Sequence, residues 1–471
     1  MNTFRWSTDE VVRALRIATP AGAGRSFARV STDTRAVEPD DLFVALSGER
    51  FDAHDFLAQA AASGATGAVV SRVPKDVPAG LALFVVENTL HALGALANHR
   101  RCALAARVVG VVGSNGKTTT KDLIRAAVGA RYRVHATQGN FNNQIGAPLT
   151  LLATPDDAEV VVVEMGTNEP GEIEILTRIV QPDLAVITSI GEEHLEKLVS
   201  VERVMEEELS ILPGLAPDAV ALVAEEPDAL PVRARALLPA GRVLVAGFAD
   251  AADLHPEGGA DGIETMPDGS TRWRWRGHEV ALPMPGRWNV RNALLALGVA
   301  VELGVPEEAA ARAIAGVSRA KLRGEWLSIG AVRVLADCYN SNPPSLAAAV
   351  DLLASLPSAG LKIAVVGTMR ELGEAAASLH HRAAEDLIQR LGNGLDLVVA
   401  TGAFVDAFRD AGAESNPAVV TSDNPIDAYD RIAPRLSGDE IILLKASRGE
   451  ALERWIPLLE RDFDRATVVN S

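Results

Sequence analysis

The chain predicts an α/β fold in three successive units, and three observations carry that prediction. Short apolar runs, at residues 108–112, 160–163, 184–187 and 363–366 among others, alternate with stretches of helical periodicity. Such runs mark strands buried on both faces of a parallel sheet. The 471 residues exceed one ordinary core, so two to three domains are expected. Aromatic residues are only 4% of the chain while Ala, Val, Leu and Gly abound, which suits layered helices and sheets.

The first unit, residues 1–103, mixes strands at 42–46 and 67–70 with a helix at 56–63 and a helical stretch at 90–105. The second, 104–317, opens with the buried-strand pattern at 108–112, a Gly-rich turn and a helix at 118–128. Strands at 160–163 and 184–187 follow, each succeeded by helical periodicity, so the expected sheet is parallel and doubly wound. Between residues 262 and 283, Trp273-Arg274-Trp275-Arg276 alternates at period two and Asp268-Gly269 supplies a hairpin turn. A small antiparallel insert is expected there, and an Ala-rich helical pair at 289–315 closes the unit. The third unit, 318–471, has strand runs at 332–335, 363–366, 397–400 and 441–444 and reads as a Rossmann-like α/β domain.

A formal net charge of −17 argues against nucleic acid as a partner, since no overall positive field attracts phosphate backbones. The two cysteines, Cys102 and Cys338, stand in no ligand spacing, so a disulfide framework or zinc site is not expected and a reducing cytoplasm fits. The N-terminus carries acids early and lacks an apolar core, unlike a signal peptide. No uncharged run approaches the roughly 20 residues of a membrane span.

Gly113-Ser114-Asn115-Gly116-Lys117-Thr118 leaves a buried strand and enters a helix, where backbone N–H groups and the helix dipole favour a phosphate. Lys117 can reach the outer phosphates and the Thr118 hydroxyl can hold Mg²⁺. The strict G-x-x-x-x-G-K-T pattern is not met, because Val111 takes the first Gly position. A carboxylate for the metal is needed at the end of a neighbouring strand, and Glu164 follows 160–163 there. His194 follows the next strand at the same carboxyl edge, where open α/β sheets bind ligands. In the helix expected over 201–212, Glu208 falls at the centre of the apolar stripe of Val201, Val204, Met205, Ile211 and Leu212, whereas Glu206 and Glu207 point away. An inward carboxylate is costly unless it meets a cation, so Glu208 joins the candidate metal ligands.

These residues resemble the Mur ligases. Ser31-Thr32-Asp33-Thr34-Arg35 and the following Asp41-Leu42-Phe43-Val44-Ala45-Leu46, with Gly48, Asp52 and His54, look like that family's uridine-nucleotide module. Residues 113–119, including Thr119, look like its ATP loop, and 138–146 (QGNFNNQIG) is specific to the group. Glu164-Met165-Gly166 and residues 191–196 are similar to its metal-binding motifs. Asp337-Cys338-Tyr339-Asn340-Ser341-Asn342-Pro343, Glu371-Leu372-Gly373 with His380, and Lys445-Ala446-Ser447-Arg448-Gly449 resemble the D-alanyl-D-alanine-adding branch. Asp423-Asn424-Pro425 resembles part of a signature of the diaminopimelate- or lysine-adding branch, but Ile426 stands where its arginine would be. In the family a carbamylated lysine occupies the position matching Glu208. Trp288 replaces a motif histidine, leaving Gly286, Asn289 and Asn292; Val223-Ala224-Glu225-Glu226 replaces an adenine-proximal N-x-D-D, and Val112 a threonine.

The resemblance implies an ATP- and Mg²⁺-dependent amide ligase of peptidoglycan precursor synthesis, cytoplasmic and monomeric. Its substrates would be UDP-N-acetylmuramoyl-tripeptide and D-alanyl-D-alanine, joined through an acyl phosphate. Ser31, Asp33, Thr34 and Arg35 would lie near the uridine nucleotide. Asn140, Asn142 and Asn143 would bind substrate, and Asn340, Asn342 and Ser345 would lie near the dipeptide. Asn292, Arg323 and Asp337 would join the loop in holding ATP, with Thr118, Glu164, His194 and Glu208 holding metal. Arg323 and Asp337 come from the third unit, so closure of the domains is expected to assemble the site. Two other readings of the motifs are a sister ligase, adding a diamino acid or polyglutamate, and a nucleotide-binding homologue without catalysis.

Overall fold

The strand Arg107–Val112 runs through the middle of a six-stranded, all-parallel sheet in the computed structural model, which describes residues 4–19, 24–48, 51–266, 268–318 and 321–464. The order across this sheet is Arg242–Ala246, Val220–Ala224, Leu184–Ile187, Arg107–Val112, Val160–Glu164 and Val134–Ala136. Successive side chains face opposite sides of a sheet. Val108 and Val112 therefore enter one core and Val109 and Val111 another, all four fully buried. Burial on both faces is the reason this strand is apolar from Val108 onward. The helices Lys117–Gly129 and Arg287–Glu302 cover one face, and Thr89–Ala103 and Glu172–Val180 the other. Its two neighbours in the sheet come from later and separate crossovers, which opens a crevice at the carboxyl edge.

The first unit builds a four-stranded parallel sheet in the order Val30–Ser31, Leu42–Val44, Gly67–Val70, Ala82–Val85. The two inner strands match the runs expected from sequence. Of the outer two, Val30–Ser31 is too short to announce itself, whereas Ala82–Val85 lies in the apolar run 81–86 and adds a strand to those expected.

The insert is a three-stranded antiparallel sheet of Glu264–Thr265, Thr271–Trp275 and His278–Leu282. Trp273 and Trp275 point inward at 3% and 1% exposure while Arg272 and Arg274 face out, as the alternation requires. Asp268-Gly269 turns only the first, shorter hairpin. The second turns at Arg276-Gly277, whose φ values of 49° and 80° are those of a type I′ turn.

The third unit holds a six-stranded sheet ordered Glu325–Ile329, Val332–Asp337, Ile441–Lys445, Lys362–Val366, Leu397–Ala400, Val419–Thr421. It is parallel except for the first pair. The α/β reading thus holds in all three units. Among the described residues no helix is long and apolar enough to cross a membrane.

Candidate active site

The turn after Arg107–Val112 needs glycine twice. Gly113 has φ 122°, and a Cβ there would come within 2.4 Å of the Thr188 hydroxyl; Gly116 has φ 86°, and a Cβ would meet Asn292 Oδ1 at 2.7 Å. Lys117 curls back over the loop, donating to the carbonyls of Gly113 and, at 3.1 Å, of Ser114. Its Nζ also lies 3.4 Å from Glu193 Oε1. Burial alone would lower the Lys117 pKa, but Glu193, Glu208 and Glu164 together raise it.

Glu164 ends its strand at 1% exposure. Its Oε1 accepts from the Thr118 hydroxyl at 3.1 Å and from Asn142 Nδ2 at 3.0 Å, while Oε2 has no hydrogen-bond partner and lies 3.8 Å from Lys121 Nζ. Glu208, on the helix Val201–Leu209, is fully buried, and its Oε2 accepts the Gly113 N–H at 2.8 Å. Glu208 Oε1 has no partner, and burial pushes this carboxyl up to about 7.

Glu206 is exposed as expected, but Glu207 does not point away. It is 7% exposed, and its two oxygens accept the N–H groups of Gly171 (2.7 Å) and Ile173 (2.8 Å), capping the helix Glu172–Val180. A carboxylate there meets orphan donors and a positive dipole end, which allows its burial beside the apolar stripe.

His194 sits in left-handed backbone, φ 51°, with Nδ1 2.7 Å from Glu371 Oε2 and Nε2 3.7 Å from Glu193 Oε1. Burial would lower its pKa, but the Glu371 hydrogen bond and the charge of Glu193 raise it. Among the described residues no three of His, Cys, Asp and Glu gather at one point, so Glu164, His194 and Glu208 do not form a ready-made metal cage.

The third unit closes over this edge. Asp337 pairs with Lys445 Nζ at 3.0 Å and accepts the Gly324 N–H at 3.1 Å; the Arg323 guanidinium lies 3.9 Å from the Tyr339 ring centre. Lys445 also donates to the Asn340 carbonyl at 2.7 Å.

A cavity of about 480 Å³ results. Of the residues expected from sequence, Ser114, Asn115, Gly116, Lys117, Thr118, Thr119, Asn140, Asn142, Asn143, Glu164, His194, Asn292, Arg323, Asp337, Asn340 and Ser345 line it. Gly113 and Glu208 lie behind the loop and reach it through their mutual hydrogen bond.

Asn342 is not part of the lining. It is 2% exposed, caps the helix Pro343–Ser355, and forms a reciprocal amide pair with Asn115, at 3.0 and 3.3 Å. Ser31, Asp33, Thr34 and Arg35 stand apart from the cavity on the first sheet's edge; Arg35 binds Asp33 at 2.7 Å and holds its carboxyl down at about 2.

Glu193, Trp288, Asn289, Tyr339, Arg370, Glu371, Lys445 and Ser447 also line the cavity. Several stand inside the motifs quoted above. No periodicity marks them, because they sit in turns, at a strand end or, for Trp288 and Asn289, in the first turn of the helix Arg287–Glu302.

Three family models match the chain. Mur ligase family, catalytic domain, covers residues 26–101; Mur ligase middle domain, 111–300; and Mur ligase, glutamate ligase domain, 322–448. The UDP-N-acetylmuramoyl-tripeptide--D-alanyl-D-alanine ligase of Bacillus subtilis (strain 168) is 36% identical over 441 residues, covering 91% of this chain and 92% of the relative. That of Escherichia coli (strain K12) is 32% identical over 453 residues, 94% and 95% of the two chains. A crystal structure of MurF from Acinetobacter baumannii superposes with a TM-score of 0.87 at 29% identity, covering 98% of this chain and 100% of that one. MurF ligase from Thermotoga maritima, in complex with ADP, gives 0.80 at 28%, covering 93% and 98%. A glycine-dependent strand-to-helix turn closed over by a third α/β unit, and relatives matching the chain over nearly its full length, lead to one conclusion: the chain belongs to the Mur ligase family.

Proposed function

We propose that this chain joins D-alanyl-D-alanine to UDP-N-acetylmuramoyl-tripeptide at the expense of ATP, in peptidoglycan precursor synthesis. The observation that carries the reading is the single cavity in which the phosphate loop meets Arg323, Asp337 and Asn340 of the third unit. Residues 1–103 would bind the UDP-sugar, 104–317 the ATP, and 318–471 would complete the site on closing.

The γ-phosphoryl group passes from ATP to the terminal carboxylate of the tripeptide, forming an acyl phosphate and releasing ADP. The amine of D-alanyl-D-alanine attacks the acyl carbon, and the tetrahedral intermediate expels inorganic phosphate as the nitrogen loses its proton. The first step brings an anionic carboxylate against a polyphosphate, so positive charge must be held between them. Lys117, buried and kept protonated by three carboxylates, supplies one such charge. The loop N–H groups supply oriented dipoles, and Arg323 lines the opposite wall.

The residues fit Mg²⁺. Glu164 Oε2 and Glu208 Oε1 are buried oxygens without hydrogen-bond partners, and Thr118 stands 3.1 Å from Glu164. Mg²⁺ takes oxygen ligands and commonly one or two carboxylates with substrate phosphates, so a full protein cage is not required. Thr118, Glu164, His194 Nε2 and Glu208 would share one or two such ions, no single point gathering them all, and a bound ion would neutralise charge on the phosphates.

The sister reading loses its support at Asp423-Asn424-Pro425. Asn424 there caps the helix Pro425–Ile432, accepting the Ile426 N–H at 2.8 Å, which accounts for the run structurally.

Purified protein given ATP, Mg²⁺, the UDP-linked tripeptide and D-alanyl-D-alanine should release ADP and phosphate and yield the UDP-linked pentapeptide by mass spectrometry. Turnover only with UDP-linked dipeptide and a diamino acid overturns the assignment. ATP binding without phosphate release, whatever the acceptor, makes the chain a non-catalytic homologue.

A further inference from the structure

Two turns from different units are shaped to fit each other beside the cavity. His194 and Glu371 both hold left-handed backbone, φ 51° and 65°, which side-chain-bearing residues rarely adopt. Their side chains meet at 2.7 Å, Nδ1 to Oε2. The Glu196 N–H donates to the Glu371 carbonyl at 3.2 Å. Gly373 lies so near that a Cβ would come within 2.6 Å of the Glu196 Cα, and Arg382 pairs with Glu192 at 2.6 Å. Backbone, close packing and charge all register the third unit against the segment that carries His194.

The consequence falls on the imidazole. A carboxylate that accepts the Nδ1 proton fixes the tautomer and the ring orientation, leaving the Nε2 lone pair to face elsewhere. Here Nε2 lies toward Glu193, and both residues line the cavity beside Lys117 and Thr118.

We infer that Glu371 is a positioning residue: by docking on His194 it presents Nε2 to the divalent cation carried by the nucleotide, so that cation–nucleotide binding and docking of the third unit are coupled. The inference rests on the MgATP reading above. It adds a residue of the third unit, distant in sequence, to the control of a ligand on the central sheet. The Glu371 side chain is 54% exposed, so its truncation removes little core packing.

The test uses the full chain with a non-hydrolysable ATP analogue and Mn²⁺, following free Mn²⁺ by electron paramagnetic resonance. Glu371→Ala should weaken Mn²⁺ binding by roughly 10- to 100-fold. Glu371→Gln, whose amide oxygen can still accept the Nδ1 proton, should recover most of that loss. In a His194→Gln background, Glu371→Ala should cost no more than about twofold further, since the group it positions is gone. Unchanged affinity in Glu371→Ala, equal loss in the Gln and Ala variants, or full loss in the His194→Gln background overturns the inference. Wild-type protein that fails to bind Mn²⁺ with the analogue overturns the nucleotide reading itself.

Discussion

Replacing Glu208 by Gln should stabilise the protein at alkaline pH and cost it about 1 kcal/mol at acid pH, where only the unpartnered amide counts. The amide oxygen can keep the bond now made to the Gly113 N–H at 2.8 Å, and the amide nitrogen takes the place of an oxygen that has no partner. Burial raises the wild-type carboxyl from 4.5 to about 7. The folded chain therefore holds a proton that the unfolded chain releases first, and stability falls as pH rises between those values and stays low above them. At about 1.4 kcal/mol per tenfold, ionising the buried carboxylate costs up to roughly 3 kcal/mol. An unpartnered buried amide returns about 1 kcal/mol of that, leaving a gain near 2 kcal/mol. For a unit of this size that is roughly 4–8 °C in Tm. Thermal unfolding in EDTA without nucleotide, at pH 5 and pH 8.5, measures it. A Tm difference equal at both pH values, or a Gln variant less stable at pH 8.5, refutes the assignment of a costly buried charge. With Mg²⁺ and an ATP analogue the order should invert, since ligand linkage stabilises only a site that binds.

Glu207→Ala should lower Tm by several degrees, on the order of 2 kcal/mol for two lost capping bonds, while turnover at 25 °C stays within about twofold. An unchanged Tm would show that the helix Glu172–Val180 does not depend on this cap. Asn115→Ala and Asn342→Ala should be non-additive in kcat/KM for ATP, the double variant losing roughly fivefold less than the product of the single losses. Losses that simply multiply would mean that the amide pair does not link the phosphate loop to the third unit.

The α/β class, the glycine turn after residues 108–112 and much of the cavity lining could be read from the sequence because each depends on local chemistry. A run such as residues 108–112 must be buried on both faces, and Gly113 and Gly116 are demanded by backbone angles and close contacts within one turn. The inward position of Glu208 was likewise legible from helical period. Period reports which face is buried but not what lies across from it, and so it missed Glu207, whose burial depends on a helix end some 35 residues away in the chain. The insert's second turn, Arg276-Gly277, was missed for a smaller reason: Asp-Gly is the stronger local turn signal.

What the sequence by itself determined is the family: a strand, a glycine turn and a lysine of the kind that suits phosphate, with the flanking motifs, place the chain among the Mur ligases. Only the tertiary structure decided how the site is held. It spent Asn342 on Asn115 instead of the cavity, set Glu371 against His194, and put Glu193 beside Lys117. These pairings join residues from separate units or turns, and hydrogen bonds of that kind follow from packing geometry, which no local pattern of residues encodes.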